Sequence, residues 1–200
     1  MSRPQMYEMI DDILTQADRA SQVVKNLLDF SRTQQSCLMD LDIGQVIERT
    51  LTLIKNQLTV AQIRVEKHVA GDLPAVRGKQ QELQQALLNI LLNGIQAMPE
   101  GGTVTVDAGC DPQGKIRIDI TDTGSGITPD ALKHIFDPFF TTKASGQGTG
   151  LGLSLVYSII RSHGGSIKVR SEVGQGATFS IFLPVIDPKE VPEEEPSCIG

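Results

Sequence analysis

The sequence predicts an α+β protein: a two-layer α/β sandwich with a mixed β-sheet, preceded by a long N-terminal helix. Three observations lead there. Segments such as "IRVEKHV", "TVTVDAG", "KIRIDITD", "SIKVRSE" and "ATFSIFLP" alternate apolar and polar residues with the period of a strand. Between them, "QQELQQALLNILLNGIQAM" and "LGLSLVYSIIRSH" carry apolar residues at helical spacing. The last two strands are joined by "VGQG", a hairpin turn, so the sheet is not purely parallel.

Taken in order, residues 6–32 read as one helix. Ile10, Ile13, Ala17, Ala20, Val24 and Leu27 alternate spacings of three and four, a heptad seam. Such a seam packs either on its own domain or on partner helices, and its persistence favours a dimeric bundle. The polar "TQQS" follows as a joint. A helix is expected over 44–58, with Val46, Ile47, Leu51 and Ile54 on one face, and a strand at 63–69. The turn-rich "CDPQG" separates the next two strands, and a Gly- and Thr-rich stretch runs from about 137 to 150. Gly164 and Gly165 stop the last helix. The expected domains are 1–36, a long helix; 37–186, the sandwich; and 187–200, an acidic, proline-rich tail read as disordered.

Composition narrows the function. A net charge of -6 argues against a nucleic-acid surface. Cys37, Cys110 and Cys198 are odd in number and lack metal-ligand spacing, as expected of ordinary thiols in a reducing, cytoplasmic compartment. No apolar run approaches the roughly 20 residues that span a bilayer, so no membrane contact is expected of this chain.

Chemistry concentrates at three places. On a helical wheel, Glu82, Gln85, Asn89, Asn93 and Gln96 form a narrow polar stripe on an otherwise apolar helix. A buried, unpaired amide costs roughly 1–3 kcal/mol, so the stripe needs partners. It is either a pocket wall, or its amides bond strand carbonyls or buried water. In "KIRIDITDTGSGI", Ile116, Ile118 and Ile120 share one strand face, and Asp122 continues that parity inward. An inward carboxylate followed by Gly124 and Gly126 suits a purine amino group beside accessible backbone; the alternative is a turn or cap residue. Finally, "GQGTGLGLS" leads into a helix whose N-terminal N–H groups can face an anion. It lacks P-loop spacing, and no strand immediately precedes it as a dinucleotide fingerprint requires. Lys143 lies on the same segment, within reach of a phosphate or simply solvated.

These motifs together resemble the sensor histidine kinases. "NILLN" resembles their N box, "DTGSGI" their G1 box, "FDPFFTTK" their F box, "GTGLGLS" their G2 box and "GATFSIFLP" their closing G3-like strand. "RASQVVKNLLDFSR" is similar to the second helix of their dimerisation and histidine-phosphotransfer domain, and "NGIQAMPEGG" with "PFFTTK" to the nitrogen-regulation type. The resemblance implies a Bergerat-type ATP-binding fold with ATP and Mg²⁺. It makes Asn93 the Mg²⁺ ligand, sets Asn89 toward phosphate or water, and lets Asp122 accept from the adenine amino group while Gly124 and Gly126 admit the ring. Residues 137–150 become a lid, with Lys143, Gly148 and Gly150 near the phosphates and Phe136, Phe139 and Phe140 as its anchors; Ile127, Thr149, Leu151, Gly152 and Thr178 complete the nucleotide set.

Two departures stand out. Gln96 occupies a position where many members carry Lys. The family's phosphoacceptor histidine, followed by Glu or Asp, has no counterpart, since His68, His134 and His163 lie in "EKHVA", "LKHIF" and "RSHGG". The three are expected to be structural or surface residues, His163 at a helix end that favours its cation. The chain is therefore expected to begin after the first bundle helix and to carry no catalytic residue of its own. The implied function is the ATP-binding part of a two-component kinase. It would pass the γ-phosphoryl group to a histidine outside this chain, then to a response-regulator receiver domain, as a homodimer through the N-terminal helix. The alternatives are a conformational ATPase of the gyrase, chaperone or mismatch-repair type, for which Glu82 is the candidate water-activating acid, and a non-catalytic nucleotide-sensing module.

Overall fold

Capping and alternation decide where the elements begin. The computed structural model describes residues 37–143 and 148–186. The helix expected at 6–32 and the acidic tail from 187 lie outside the described residues. Asp42 caps the first helix, α1 (Ile43–Leu53), its carboxylate accepting from the Gln45 N–H at 3.2 Å. The helix expected over 44–58 is broken at Ile54, and α2 (Lys55–Val60) follows. Ile54 and Leu58, on either side of the break, are both buried.

Strands β1 (Met39–Leu41) and β3 (Val76–Gly78) pair antiparallel as a small separate sheet. At three residues each they are too short for periodicity to reveal. Between them lies β2 (Ile63–Val69), and after them comes α3 (Gln80–Gln96), the helix with the polar stripe. It buries Leu83, Ala86, Leu87, Ile90 and Leu91. Each larger side chain among them contributes about 1.5–3 kcal/mol by leaving water.

The remaining elements are β4 (Gly102–Cys110), β5 (Ile116–Asp122), α4 (Pro129–Leu132), α5 (Gly152–Ser162), β6 (Ser166–Glu172) and β7 (Gly176–Leu183). The "CDPQG" turn closes on Asp111, whose carboxylate accepts from the N–H groups of Gln113 and Lys115 at 2.9 and 2.8 Å. The short α4 is capped by Thr128 and opened by Pro129, a signal present in the sequence but not read.

The main sheet runs β2-β4-β5-β7-β6, with β2 parallel to β4 and the other pairs antiparallel. It is mixed, as the hairpin required. Its inner face presents Val104 and Val106 from β4, Ile116, Ile118 and Ile120 from β5, and Phe179, Ile181 and Leu183 from β7, all buried. Helix α3 packs between α1 and α5 and against β5. Among the described residues, 37–140 with 150–186 form one compact unit, and the segment Thr141–Thr149 belongs to another. No helix among the described residues is long and apolar enough to cross a membrane. Cys110 is a free, exposed thiol, whereas Cys37 is disulfide-bonded, unlike the three free thiols expected.

The β6–β7 hairpin crosses the loop after β5 so closely that Gly126, at φ +69°, has its missing Cβ position 2.1 Å from the Glu172 carbonyl oxygen. Gly126→Ala is expected to destabilise the protein by about 2 kcal/mol or more, the cost of overpacking against backbone added to left-handed strain. Urea unfolding measures it, and an unchanged midpoint would contradict the packing described.

Candidate functional site

The site grows from the inner end of β5. Alternation along the strand turns Asp122 to the same face as Ile116, Ile118 and Ile120, and it is 6% exposed. A carboxylate there needs donors. Its Oδ1 accepts the Gly124 N–H at 2.9 Å, and the Ala177 N–H of β7 donates to it as well. Burial nevertheless raises its pKa above the ordinary aspartate value of 3.8, the two backbone hydrogen bonds opposing that rise.

What surrounds Asp122 is mostly absence of side chains. Gly94 of α3 faces it, and a Cβ added there would lie 3.4 Å from the Asp122 Cβ and 3.7 Å from Oδ2. Gly124 is enforced by sterics, because its Cβ would meet the Cβ and carbonyl oxygen of Ala97 at 2.8 Å. Gly176, at φ +85°, lets β7 begin against the Asp122 carbonyl, from which a Cβ would stand far inside contact distance. The loop between is tied on both sides. Ser125 N–H bonds the Ala97 carbonyl at 3.1 Å, and Ile127 N–H bonds Ser171 Oγ at 2.8 Å. Gly124 and Gly126 thus have structural reasons to be glycine beyond ligand approach. Gly94 and Ala177 were missed from sequence. Gly94 carried a readable signal, one residue past Asn93 in the stripe; Ala177 needed the β5–β7 register.

The stripe divides in two. Asn89 is half-buried, its Oδ1 accepting from Gln85 Nε2 at 3.2 Å and its Nδ2 donating to the Gly152 carbonyl at 3.4 Å. Asn89 therefore links α3 to the first residue of α5. Asn93 is half-buried one turn on, beside Gly94, and Gln96 is exposed. Glu82 belongs elsewhere: its Oε1 accepts from Lys79 Nζ at 3.0 Å, near His163.

Helix α5 starts at Gly152 with no capping side-chain hydrogen bond from Leu151, at the end where Asn89 stands. Phe139 N–H bonds the Gly150 carbonyl at 2.9 Å, closing the ends of the Gly-rich segment; Gly150, at φ +65°, has its Cβ position 2.3 Å from the Phe139 carbonyl carbon. Phe136 is anchored on Tyr157 of α5, at 5.4 Å between rings, and Phe140 on His134 at 5.7 Å.

Among the expected residues, Asn89 and Gly152 meet directly, Asp122 and Gly124 meet directly, and Asn93, Gly150, Leu151 and Ile127 belong to the same compact unit. Lys143, Gly148 and Thr149 belong to the separate segment Thr141–Thr149, where Lys143 N–H bonds Thr141 Oγ1 at 3.2 Å and burial lowers the pKa of the lysine amine. Thr178 lies on the opposite face of the sheet from Asp122. It pairs in register with Thr121, their hydroxyls 3.0 Å apart, while Ala177 takes the place beside Asp122.

The family model described as histidine kinase-, DNA gyrase B- and HSP90-like ATPase matches residues 78–187. The sensor histidine kinase ZraS of Salmonella typhi is 39% identical over 180 residues, 90% of this chain and 38% of that protein. The signal transduction histidine-protein kinase AtoS of Escherichia coli (strain K12) is 37% identical over 184 residues, 92% of this chain and 30% of that protein. Among solved structures, full-length ShkA in complex with AMPPNP aligns with a TM-score of 0.73 and 28% identity, covering 92% of this chain and 39% of that one. The chain thus spans well under half the length of these relatives.

The raised pKa of Asp122 carries a sign. In the window between its unfolded and folded values the native state binds more protons, so stability falls as pH rises through that window. The stability of wild type relative to Asp122→Asn should therefore decline as the pH rises above about 4, the unfolded aspartate titrating near 3.9. Urea unfolding of both proteins across that range tests this, and a pH-independent difference would contradict it.

Proposed function

Because the chain belongs to the histidine kinase-, DNA gyrase B- and HSP90-like ATPases, we propose that it is the ATP-binding catalytic part of a two-component sensor histidine kinase. The observation that carries this reading is Asp122. It is a buried carboxylate held by two backbone N–H groups at the end of an apolar strand, with Gly94 of α3 packed against it. An exocyclic amino group of adenine is a donor that such a carboxylate lacks elsewhere, and burial strengthens the bond. Gly94, Gly124 and Ala177 bring small residues and backbone up to the carboxylate.

The phosphates would run toward Asn89, Asn93, Gly150 and the start of α5. No group of three or more His, Cys, Asp or Glu among the described residues could hold a metal. A half-buried neutral amide fits Mg²⁺, which usually takes one or two protein ligands and fills its shell with phosphate oxygens and water. Asn93 would hold it, and the ion would offset the charge of the phosphates. This chain's own contribution is placement, worth roughly 7–11 kcal/mol of barrier when the nucleophile is aligned. Thr178, on the far sheet face, would contribute through its pairing with Thr121 rather than through ATP.

The nucleophile would be a histidine of the complete kinase, on a bundle formed with a second copy through the N-terminal helix, and the phosphoryl group would pass on to a cytoplasmic receiver domain. His163 is buried with both ring nitrogens engaged. His68 projects from β2, and His134 is bonded to Asp137 at 2.7 Å. The conformational-ATPase alternative loses its acid. Glu82 is paired with Lys79 and sits about 16 Å along α3 from Asn93 at 1.5 Å per residue.

Asn93→Ala should abolish Mg²⁺-dependent binding of a fluorescent ATP analogue while leaving the circular dichroism unchanged; unaltered metal-dependent affinity would remove the magnesium role. Asp122→Asn should erase most of the preference for ATP over GTP, a charge-assisted bond worth roughly 1.5–3 kcal/mol, and a wild type without that preference overturns the adenine assignment. Incubated alone with radiolabelled Mg-ATP, the chain should bind nucleotide yet take up no acid-labile phosphate. Rapid labelling of His68, His134 or His163 would defeat that expectation.

A further inference from the structure

The cluster around His163 is not used by the chemistry above. His163 is the C-cap of α5, and its side chain is 3% exposed. Its Nδ1 lies 2.7 Å from the Ile159 carbonyl oxygen, an acceptor, so Nδ1 carries the proton. Its Nε2 accepts the backbone N–H of Lys79 at 3.0 Å, so that nitrogen carries a lone pair. The two bonds together require the neutral Nδ1–H tautomer, not the cation expected of a helix end.

Lys79 is the N-cap of α3 and makes no side-chain cap of its own. In a capping box, a Glu at the third helical position reaches back to the N-cap N–H. Glu82 occupies that position here, but its carboxylate goes to Lys79 Nζ at 3.0 Å instead. The ring of His163 takes the vacant bond from another helix. Gly78 makes room for it, since a Cβ there would stand 2.6 Å from the His163 Cδ2.

The position of this bond matters. Helices α3 and α5 run antiparallel and meet at two levels: His163 stands beside Lys79 and Glu82 at the start of α3, and Asn89, midway along α3, bonds Gly152 at the start of α5. Along α3 these lie about 15 Å apart, and along α5 about 16 Å, at 1.5 Å per residue. The matched lengths mean that one pin sets the sliding and rotation of the helices at the other. Asn89 and the start of α5 are the proposed phosphate end.

We propose that His163 is a positioning residue: from the far end of the helix pair it holds α5 in register with α3, so that Asn89 and the N-terminus of α5 face the same phosphates. This rests on the ATP-site reading, and wild type must first bind Mg-ATP; if it does not, that reading has failed and not this one.

The test compares Mg-ATP affinity, by fluorescent-analogue titration, in wild type, His163→Ala and His163→Gln, at a temperature where circular dichroism shows each fully folded. His163→Ala should bind about tenfold more weakly, the equivalent of one buried hydrogen bond, and His163→Gln, which keeps an acceptor and a donor, should recover most of the loss. In His163→Ala the side-chain amide resonance of Asn89 should shift although no contact of Asn89 was removed. Folded His163→Ala with wild-type affinity and an unmoved Asn89 resonance overturns the proposal. Should His163→Ala not fold, Gly78→Ala pushes the ring aside without deleting it and should weaken binding likewise; unchanged affinity there also overturns it. On wild type itself, imidazole nitrogen resonances must report the Nδ1–H tautomer that the two bonds require. The Nε2–H tautomer or the imidazolium would end the proposal.

Discussion

A charge held at the edge of an apolar core is the constraint from which the rest of this site follows. Asp122 occupies the last inward position of β5, where the three preceding inward residues are isoleucines. Water cannot solvate it there, so backbone N–H groups must. That demand brings Ala177 of β7 and Gly124 of the following loop within reach. It also requires Gly176 to let β7 start against the Asp122 backbone, and Gly124 to fit beneath Ala97. Gly124 and Gly176 thus let the backbone close around one carboxylate, and its raised pKa is what remains after the backbone has supplied its bonds.

The same carboxylate explains the face that α3 turns toward it. A helix this apolar buries most of its surface against α1, α5 and β5, and a large side chain opposite Asp122 would seal the carboxylate in. Gly94 stands there instead. Asn89, one turn before Asn93, spends its amide on Gln85 and on the first residue of α5, so the buried polar groups of the stripe are satisfied locally. Among the described residues, no buried side-chain nitrogen or oxygen lacks a partner. The site is a place where backbone and amide groups are already oriented, which suits placement of a polyphosphate more than acid–base chemistry.

Helix α5 connects this end of the molecule to the other. Its start is left without a capping side chain and meets Asn89, while its C-cap histidine closes on the start of α3. The ends of the Gly-rich segment are pinned by the Phe139–Gly150 bond, and Phe136 lies on Tyr157 of α5.

The sequence by itself determined what local sterics control. Strand alternation put Asp122 inward, the hairpin "VGQG" made the sheet mixed, and helical spacing gathered Asn89 and Asn93 on one stripe. These follow from periods of 2 and 3.6, which any single segment displays. Tertiary structure decided what depends on register between distant segments. Ala177 rather than Thr178 faces Asp122 because of how β5 pairs with β7. Glu82 pairs with Lys79 and stands beside His163, partners that the packing of α3 on α5 brings to it. Gly126 is required by a hairpin carbonyl 46 positions away, and His163 accepts from a backbone N–H 84 positions before it. No periodicity encodes such pairings, because they are fixed only when the core closes and each buried polar group must find whichever partner the packing has brought alongside it.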